Sequence, residues 1–261
     1  MKALTFKVRF ETAQFKTHHL KLTRGTYLIP PPSAVAGSFG AILGIPRNRL
    51  KEYCTQYKLL AGAGLISLGG VYTTYSRIFK FHRNVDKIIE LLKEWTSVKT
   101  SKVYKQVVEL TPLKESEELF EPEYKFAIVA EDEVIEEGLR RINSLDFVYE
   151  IFGGNDYHFM HFVGEAKEAR YIKSKEGIGY CPKDDFSQLA VENYRILAEP
   201  KYTTGSERER LPIVIFSPVG PKMEIFAFVY RANIITKVEK DAVQDREDTI
   251  FVYDPVRYLV P

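Results

Sequence analysis

Residues 29–46 read IPPPSAVAGSFGAILGIP, and this stretch predicts a helix with clear start and stop signals. Proline is tolerated in the first helical turn, where backbone N–H groups have no partner, so we expect the helix to begin at about Ser33. Gly44 and the proline two residues after it stop the helix at about Leu43. The interior residues Gly37 and Gly40 each cost the helix roughly 1 kcal/mol relative to alanine, so some group must approach the backbone closely. That group is either a packed part of the protein or a phosphate.

The segments on either side of this helix predict a sheet. The opening residues alternate, with Leu4, Phe6, Val8 and Phe10 on one face, which is typical of a half-buried strand. Residues 71–81, 124–130 and 157–163 read as three further strands, because they are rich in aromatic and β-branched side chains. Helical spacing follows in residues 47–59 and again after residue 130. The order β, α, β, insertion, β, α, β is that of ferredoxin-like folds, which also underlie RNA-recognition (RRM-like) modules.

We therefore predict an α+β fold in two parts. A ferredoxin-like (RRM-like) domain covers residues 1–165, with an insertion at about residues 82–123, and a β-rich region covers residues 166–261. No stretch approaches the roughly 20 apolar residues of a membrane span, so we expect a cytoplasmic protein without a membrane partner. Cys54 and Cys181 match no zinc or disulfide spacing, and we expect both to be buried free thiols.

Charge is divided unequally along the chain, although the formal net charge is only +2. Residues 1–110 hold 18 Lys and Arg against 6 Asp and Glu, a balance of +12, whereas residues 111–261 hold 19 against 29, a balance of −10. Such asymmetry indicates a polyanionic partner for the basic part. Alternatively, the basic part docks on the acidic part or on an acidic protein.

The stretch at residues 29–46, placed after an N-terminal alternating strand, resembles Cas family 5 of CRISPR systems. The match consists of a proline-rich segment, a small residue after it, and a helix with a glycine at every third or fourth position. Members share a ferredoxin-like N-terminal domain, and a β-hairpin thumb is inserted between the second and third strands. The resemblance implies that the insertion at residues 82–123 is this thumb.

The resemblance also implies a function. This chain would be a non-catalytic subunit of a type I CRISPR effector complex (Cascade). It would bind the 5′ handle of the guide RNA, cap the filament of backbone subunits and contact the large subunit, without a cofactor or a metal.

Candidate RNA contacts are basic, aromatic or backbone-exposing residues of the strand, the loop, the helix and the thumb. Arginine ranks highest among them, because guanidinium binds phosphate in a bidentate manner and stacks on bases. The candidates are Lys7, Arg9, Lys16, His18, His19, Lys21, Arg24, Ser33, Gly37, Gly40, Arg77, Lys99, Lys102, Tyr104 and Lys105.

Two other functions remain open. One branch of the same family cuts repeat RNA without a metal, using Tyr, Lys and His, and Tyr75, Lys80 and His82 supply these types here. On a strand, however, Lys80 and His82 share a face that Tyr75 does not, so we expect no cleavage. The second alternative is a protein-only adaptor. His158 and His161 form an HxxH pair, but on a strand this spacing separates the side chains, which argues against a metal site.

Overall fold

The computed structural model describes residues 1–17, 24–77, 86, 89–90, 93, 113–154, 157–190, 199–200 and 212–259, of which residues 76–77, 113–114 and 199–200 are described by their backbone only. Three α-helices have both of their ends within the described residues. They are α1 (Pro32–Leu43), α2 (Leu50–Gln56) and α3 (Asp132–Ser144), and a 3₁₀ turn, Arg47–Arg49, precedes α2.

Fifteen strands accompany these helices in the described residues. The first eight are β1 (Lys2–Phe10), β2 (Thr12–Ala13), β3 (Phe15–Lys16), β4 (Thr26–Tyr27), β5 (Leu60–Leu68), β6 (Gly70–Arg77), β7 (Leu113–Phe120) and β8 (Glu123–Ala130). The others are β9 (Met160–Val163), β10 (Lys167–Pro182), β11 (Phe186–Leu189), β12 (Glu199–Pro200), β13 (Ile213–Val219), β14 (Glu224–Gln244) and β15 (Thr249–Phe251).

The alternating strand β1 lies at the centre of the main sheet, as its residues suggest. It pairs antiparallel with β8 on one side and with β9 and β10 on the other, and β8 in turn pairs antiparallel with β5. Its apolar face, which includes Leu4 and Phe6, packs in one core cluster with Phe39 of α1 and Ile135 of α3. The helices therefore cover one face of the sheet, and apolar burial on that face holds them there.

The C-terminal strands cover part of the opposite face. Ala127 and Val129 of β8 form a second core cluster with Ile178, Val243 and Ile250. Contact is close enough to require glycine on β5, since a Cβ at Gly62 would lie 2.0 Å from the backbone oxygen of Phe251. The long strands β10 and β14 pair with each other and join this region to β1 in one ten-stranded sheet.

The strand expected at residues 71–81 is present as β6, but it does not belong to the main sheet. That place is taken by β5, which sequence reasoning missed because LAGAGLISL is rich in small residues and lacks alternation. β6 instead pairs with β7 in a separate three-stranded sheet with β2. We call the segment between β5 and β8 the excursion. β6 and β7 form its described base, so the excursion begins before residue 82. Most of residues 82–123 lies outside the described residues, so the thumb stays a prediction, as does the division at residue 165.

Two further expectations, on the ends of the glycine-rich helix and on the cysteines, are confirmed. The proline-entered helix spans Pro32–Leu43 and ends at Gly44, whose φ of +80° is the left-handed conformation that glycine adopts most readily. Cys54 and Cys181 are buried and free, and burial raises the pKa of each thiol to about 12. Within the described residues, no helix combines the length and the apolar character needed to cross a membrane.

Candidate nucleic-acid interface

The glycine helix α1 presents two different sides. A Cβ at Gly40 would lie 2.9 Å from Cδ1 of Leu50, and Gly40 is buried, so this glycine lets α2 pack closely on α1. The bare side of Gly40 thus faces the protein, and the expected contact of this residue with RNA stays a prediction. A Cβ at Gly37, in contrast, would meet no atom of the described residues within 4 Å, and Ser33 one turn earlier is only partly buried. Gly37 and Ser33 remain open to an external partner.

The sheet face opposite the helices carries Lys7 and Arg9 on β1. Arg9 lies opposite Phe162 of β9, and its guanidinium carbon is 5.4 Å from the centre of the exposed Phe162 ring. Arg9 Nε is also 3.3 Å from Oε2 of Glu123. This carboxylate neutralises Arg9 and reduces its attraction for phosphate, whereas Lys7 is exposed and forms no ion pair with the described residues.

Next to Lys7, an acidic turn closes over the sheet. Lys125 of β8 is buried, and its Nζ lies 2.7 Å from Asp245, 3.0 Å from Glu247 and 2.8 Å from Asp248. These three residues belong to the turn between β14 and β15, which we call the acidic turn (residues 245–248). We expect the acidic turn to repel phosphates from this part of the sheet.

Ion pairing with Lys125 shifts the titration of the acidic turn. Burial acts to raise the pKa of Asp245, but hydrogen bonds from Lys125 and from the backbone of Glu247 outweigh it, so the pKa is lowered. The hydrogen bond from Lys125 also lowers the pKa of Glu247. Asp245 and Glu247 are therefore expected to be charged near neutral pH.

A second group of cations lies at the base of the excursion. Lys16 of β3 is exposed and pairs across with Thr26 of β4, and Arg24 lies just before that strand. The backbone of Arg24 is held on β7, since its N–H donates to the oxygen of Glu115 at 2.9 Å and its oxygen accepts from Glu117 at 2.8 Å. No carboxylate of the described residues forms an ion pair with the side chain of Lys16 or Arg24. Among the described cations of the predicted set, these two side chains are the most available to a phosphate.

A buried polar cluster ties β6 and β7 to the rest of the molecule. The carboxylate of Glu118 accepts hydrogen bonds from Tyr72 at 3.0 Å and Thr74 at 2.9 Å. Burial, and to a smaller extent the hydrogen bond to Glu118, raises the pKa of Tyr72 to about 12. His158 is fully buried, and its Nδ1 lies 2.6 Å from Oγ1 of Thr12. Its Nε2 has no hydrogen-bond partner among the described residues. Burial lowers the pKa of His158, so its ring is neutral near pH 7. The cluster fixes the orientation of the excursion at its base.

Several predicted site residues lie outside the described part of the chain. These are His18, His19, Lys21, Lys80, His82, Lys99, Lys102, Tyr104 and Lys105, and Arg77 is described by its backbone only. Tyr75 is described; it is 64% exposed on β6 and lies opposite Glu115 of β7.

The structure brings the described candidates together only in part. Lys7 and Arg9 share one sheet face, Lys16 and Arg24 lie at the base of the excursion, and Ser33 and Gly37 lie on α1. Sequence reasoning missed Phe162, although the aromatic run at residues 157–163 offered a signal. It also missed the acidic turn, because nothing in the sequence places residues 245–248 beside β1.

Among the described His, Cys, Asp and Glu residues, no group of three is arranged so that it could hold a metal ion. His158 is buried whereas His161 is exposed, so this pair does not converge on one ion.

Comparison with known proteins gives a family match. The profile of the family described as CRISPR-associated protein (Cas_Cas5) matches residues 3–227. No curated protein matches the chain. Among solved structures, one chain of a CRISPR RNA-guided surveillance complex is 16% identical, with a TM-score of 0.38 and coverage of 59% of this chain and 58% of that one.

Two further solved structures are similar over most of the chain. A CRISPR protein from Archaeoglobus fulgidus is 15% identical, with a TM-score of 0.42 and coverage of 96% and 99% of the two chains. A structure described as a Cas protein is 11% identical, with a TM-score of 0.40 and coverage of 90% and 95%.

Proposed function

This chain belongs to the CRISPR-associated Cas5 family, and from that premise we propose that it is a non-catalytic, RNA-binding subunit of a type I CRISPR effector complex. In this proposal it binds the 5′ handle of the guide RNA, caps the filament of backbone subunits and contacts the large subunit.

The observation that carries the RNA-binding part is a pair of cations in the basic part of the chain, the exposed Lys16 and the partly exposed Arg24, that form no ion pair with a described carboxylate. The backbone of Arg24 is held on β7, and Lys16 pairs with Thr26 of β4, so both side chains project from backbone that is already fixed. Fixed backbone reduces the conformational entropy that is lost when the side chains bind phosphate. Gly37 and Ser33 offer an open stretch of helix backbone as a further contact.

We also infer that residues 1–165 form a ferredoxin-like domain with a thumb. The strand order β9, β1, β8, β5, with every neighbouring pair antiparallel and with α1 and α3 on one face, supports this inference. The pairing of β6 with β7 between β5 and β8 supports an inserted hairpin.

A non-catalytic role is supported by the surroundings of Tyr75. Its exposed side chain lies on the strand face of Glu115 and Glu117, and two carboxylates disfavour a bound phosphate beside it. A cleavage site built on Tyr75, Lys80 and His82 would have to form against this charge.

The test is binding of a 5′-handle RNA by the full chain over a range of salt concentrations. For single strands, each neutralised phosphate contributes about −0.7 to the slope of log K against log salt. We expect the double variant Lys16→Gln, Arg24→Gln to flatten the slope by about 1.4, and Lys7→Gln to change it less because the acidic turn lies beside it.

Lys222→Gln is the matched control, since Lys222 is exposed in the acidic part of the chain. An unchanged slope in the double variant would refute the assignment of these cations. RNA incubated with the chain in EDTA should stay intact, and specific cleavage lost in His82→Ala would favour the nuclease instead.

A further inference from the structure

An exposed aromatic ring lies on the sheet face opposite the helices. Phe162 of β9 is 43% exposed, and the register of the strands places it in one row with Arg9 of β1 and Glu123 of β8. Neighbouring strands lie about 4.8 Å apart, so the three side chains are adjacent. Exposure by itself does not mark a binding site, because single exposed apolar side chains are common on protein surfaces. Phe162 differs from such side chains in the way its ring is held.

The ring of Phe162 is held by Arg9 and left open beside Gly164. The guanidinium carbon of Arg9 lies 5.4 Å from the ring centre, and its buried Nε lies 3.3 Å from Oε2 of Glu123. A Cβ at Gly164 would lie 3.5 Å from Cε1 of Phe162 and 3.2 Å from Cβ of Lys7, so glycine keeps this side of the ring free of a side chain. The N–H of Gly164 donates to the oxygen of Lys7 at 2.8 Å, which fixes the backbone there. We call Arg9, Phe162 and Gly164 the ring platform.

The charges around the ring platform favour a nucleobase over a phosphate. The charge of Arg9 is compensated by Glu123, and Lys7 lies close enough to the acidic turn that its charge lowers the pKa of Glu247. A phosphate would therefore gain little here and would meet the field of the acidic turn. A base is uncharged and has a flat face that stacks on an aromatic ring, and a guanidinium on that ring adds to the attraction.

The side chains that border the ring favour a base over an apolar side chain of a protein. Arg9 and Lys7 are cations, so an apolar partner that covered the ring would also cover charge without pairing it. The edges of an unpaired base carry hydrogen-bond acceptors, which can accept from these cations while the flat face of the base covers the ring.

We propose that the ring platform binds one unpaired base of the guide RNA, which stacks on Phe162. This inference rests on the proposed function, because it takes the ligand from the same RNA. It divides the work of binding between two places: Lys16 and Arg24 attract phosphates, and Phe162 binds a base at a site where the attraction does not depend on salt.

The experiment measures binding of 5′-handle RNA by the full chain with Phe162→Ala and Phe162→Trp. Phe216→Ala is the matched control, since Phe216 is 50% exposed and Nζ of Lys183 lies 5.9 Å from its ring centre. We expect Phe162→Ala to weaken binding about 5- to 150-fold with an unchanged salt slope, because a stacked base is lost and no phosphate contact is. Phe162→Trp keeps an aromatic face and should restore most of the affinity, and Phe216→Ala should bind like the wild type.

A second measurement uses the wild-type chain and a set of handle RNAs that each lack the base at one position. The wild-type chain should lose affinity at one position in particular, and Phe162→Ala should lose nothing further there, because the two changes remove the same contact. This measurement does not depend on how well Phe162→Ala folds, and thermal melting of each variant reports its folding separately.

Unchanged affinity in Phe162→Ala, an equal loss in Phe216→Ala, or base removal that never weakens binding would overturn the proposal. If only the Lys16→Gln, Arg24→Gln variant lost affinity, the RNA-binding function would stand and the ring platform would fail. If the wild-type chain bound an unrelated single-stranded RNA through Phe162 but showed no affinity for the handle, the ring platform would stand as a base-binding site and the handle-binding function would fail. Binding of neither RNA would refute both.

Discussion

Replacing Lys125 by methionine should destabilise the fold strongly, because it leaves buried carboxylates without their cation. The side chain of Lys125 is 6% exposed, and those of Asp245 and Asp248 are 12% and 11% exposed. Removing one partner of a buried ion pair typically costs 3–5 kcal/mol. Glu247 adds little, since it is 61% exposed and an exposed pair is worth about 0–1 kcal/mol.

The expected loss lies near the lower end of that range, at about 3 kcal/mol. Asp245 keeps hydrogen bonds from the backbone N–H groups of Glu247 and Asp248, both at 2.8 Å, and a weaker one from Thr5 at 3.3 Å. These donors compensate part of the charge that Lys125 leaves behind. For a chain of this size, about 3 kcal/mol corresponds to a fall in Tm of roughly 6–12 °C.

The assay is urea unfolding of the full chain, in which a shift of the midpoint at an unchanged m-value reports the change in stability. Lys222→Met is the exposed control, and its stability should stay within about 0.5 kcal/mol of wild type. Adding Asp245→Asn and Asp248→Asn to Lys125→Met should recover part of the loss. The lowered pKa of Asp245 means that its pairing stabilises the fold above the unfolded-state pKa of about 4 and that this contribution is lost as pH falls through the lower folded-state value. The gap between wild type and Lys125→Met should therefore narrow in acid. A loss under about 1 kcal/mol at pH 7 would refute the reasoning, because it would show that the acidic turn is solvated rather than locked on β8.

Two further predictions concern α1 and His158. Gly40→Leu should destabilise the chain by about 1–3 kcal/mol in thermal unfolding, because the added side chain overpacks a buried contact. Gly37→Ala should be neutral or stabilising by up to about 1 kcal/mol, because this position is open. Equal effects of the two substitutions would contradict the difference between the two sides of α1. Burial lowers the pKa of His158 in the folded chain. Below about pH 6.5 the unfolded chain therefore protonates this histidine while the folded chain does not, so the stability should fall as pH drops. The fall is at most about 1.4 kcal/mol per pH unit and ends where the folded-state pKa is reached. In His158→Gln this pH dependence should shrink in melts from pH 8 to pH 5, and an unchanged slope would assign it to other groups.

Local signals were sufficient for the elements that they describe. The prolines and Gly44 predicted both ends of α1, and the alternation of residues 1–10 predicted β1 with its apolar face inward. β5 could not be recognised in this way, because its small residues are required by contacts with β15, which is distant in sequence. At Gly62, for example, a Cβ would collide with the backbone of Phe251. The same distinction separates Gly37 from Gly40. The sequence pattern places both glycines on the helix, but only the position of Leu50 in the fold shows that Gly40 is the one packed against another part of the protein.

The unequal division of charge permitted two interpretations, and the described residues separate them cation by cation. Lys2, Arg9 and Lys58 show the intramolecular one, since each pairs with a carboxylate of the acidic part: Glu136, Glu123 and Glu131, respectively. The charge of Lys7 also lowers the pKa of Glu247. Lys16 and Arg24 show the other, since no described carboxylate pairs with them. Internal neutralisation confines the positive field to fewer places, and a cation that keeps its field is the one that attracts a polyanion. For this reason the base of the excursion, rather than the whole basic part of the chain, is where phosphate binding is expected.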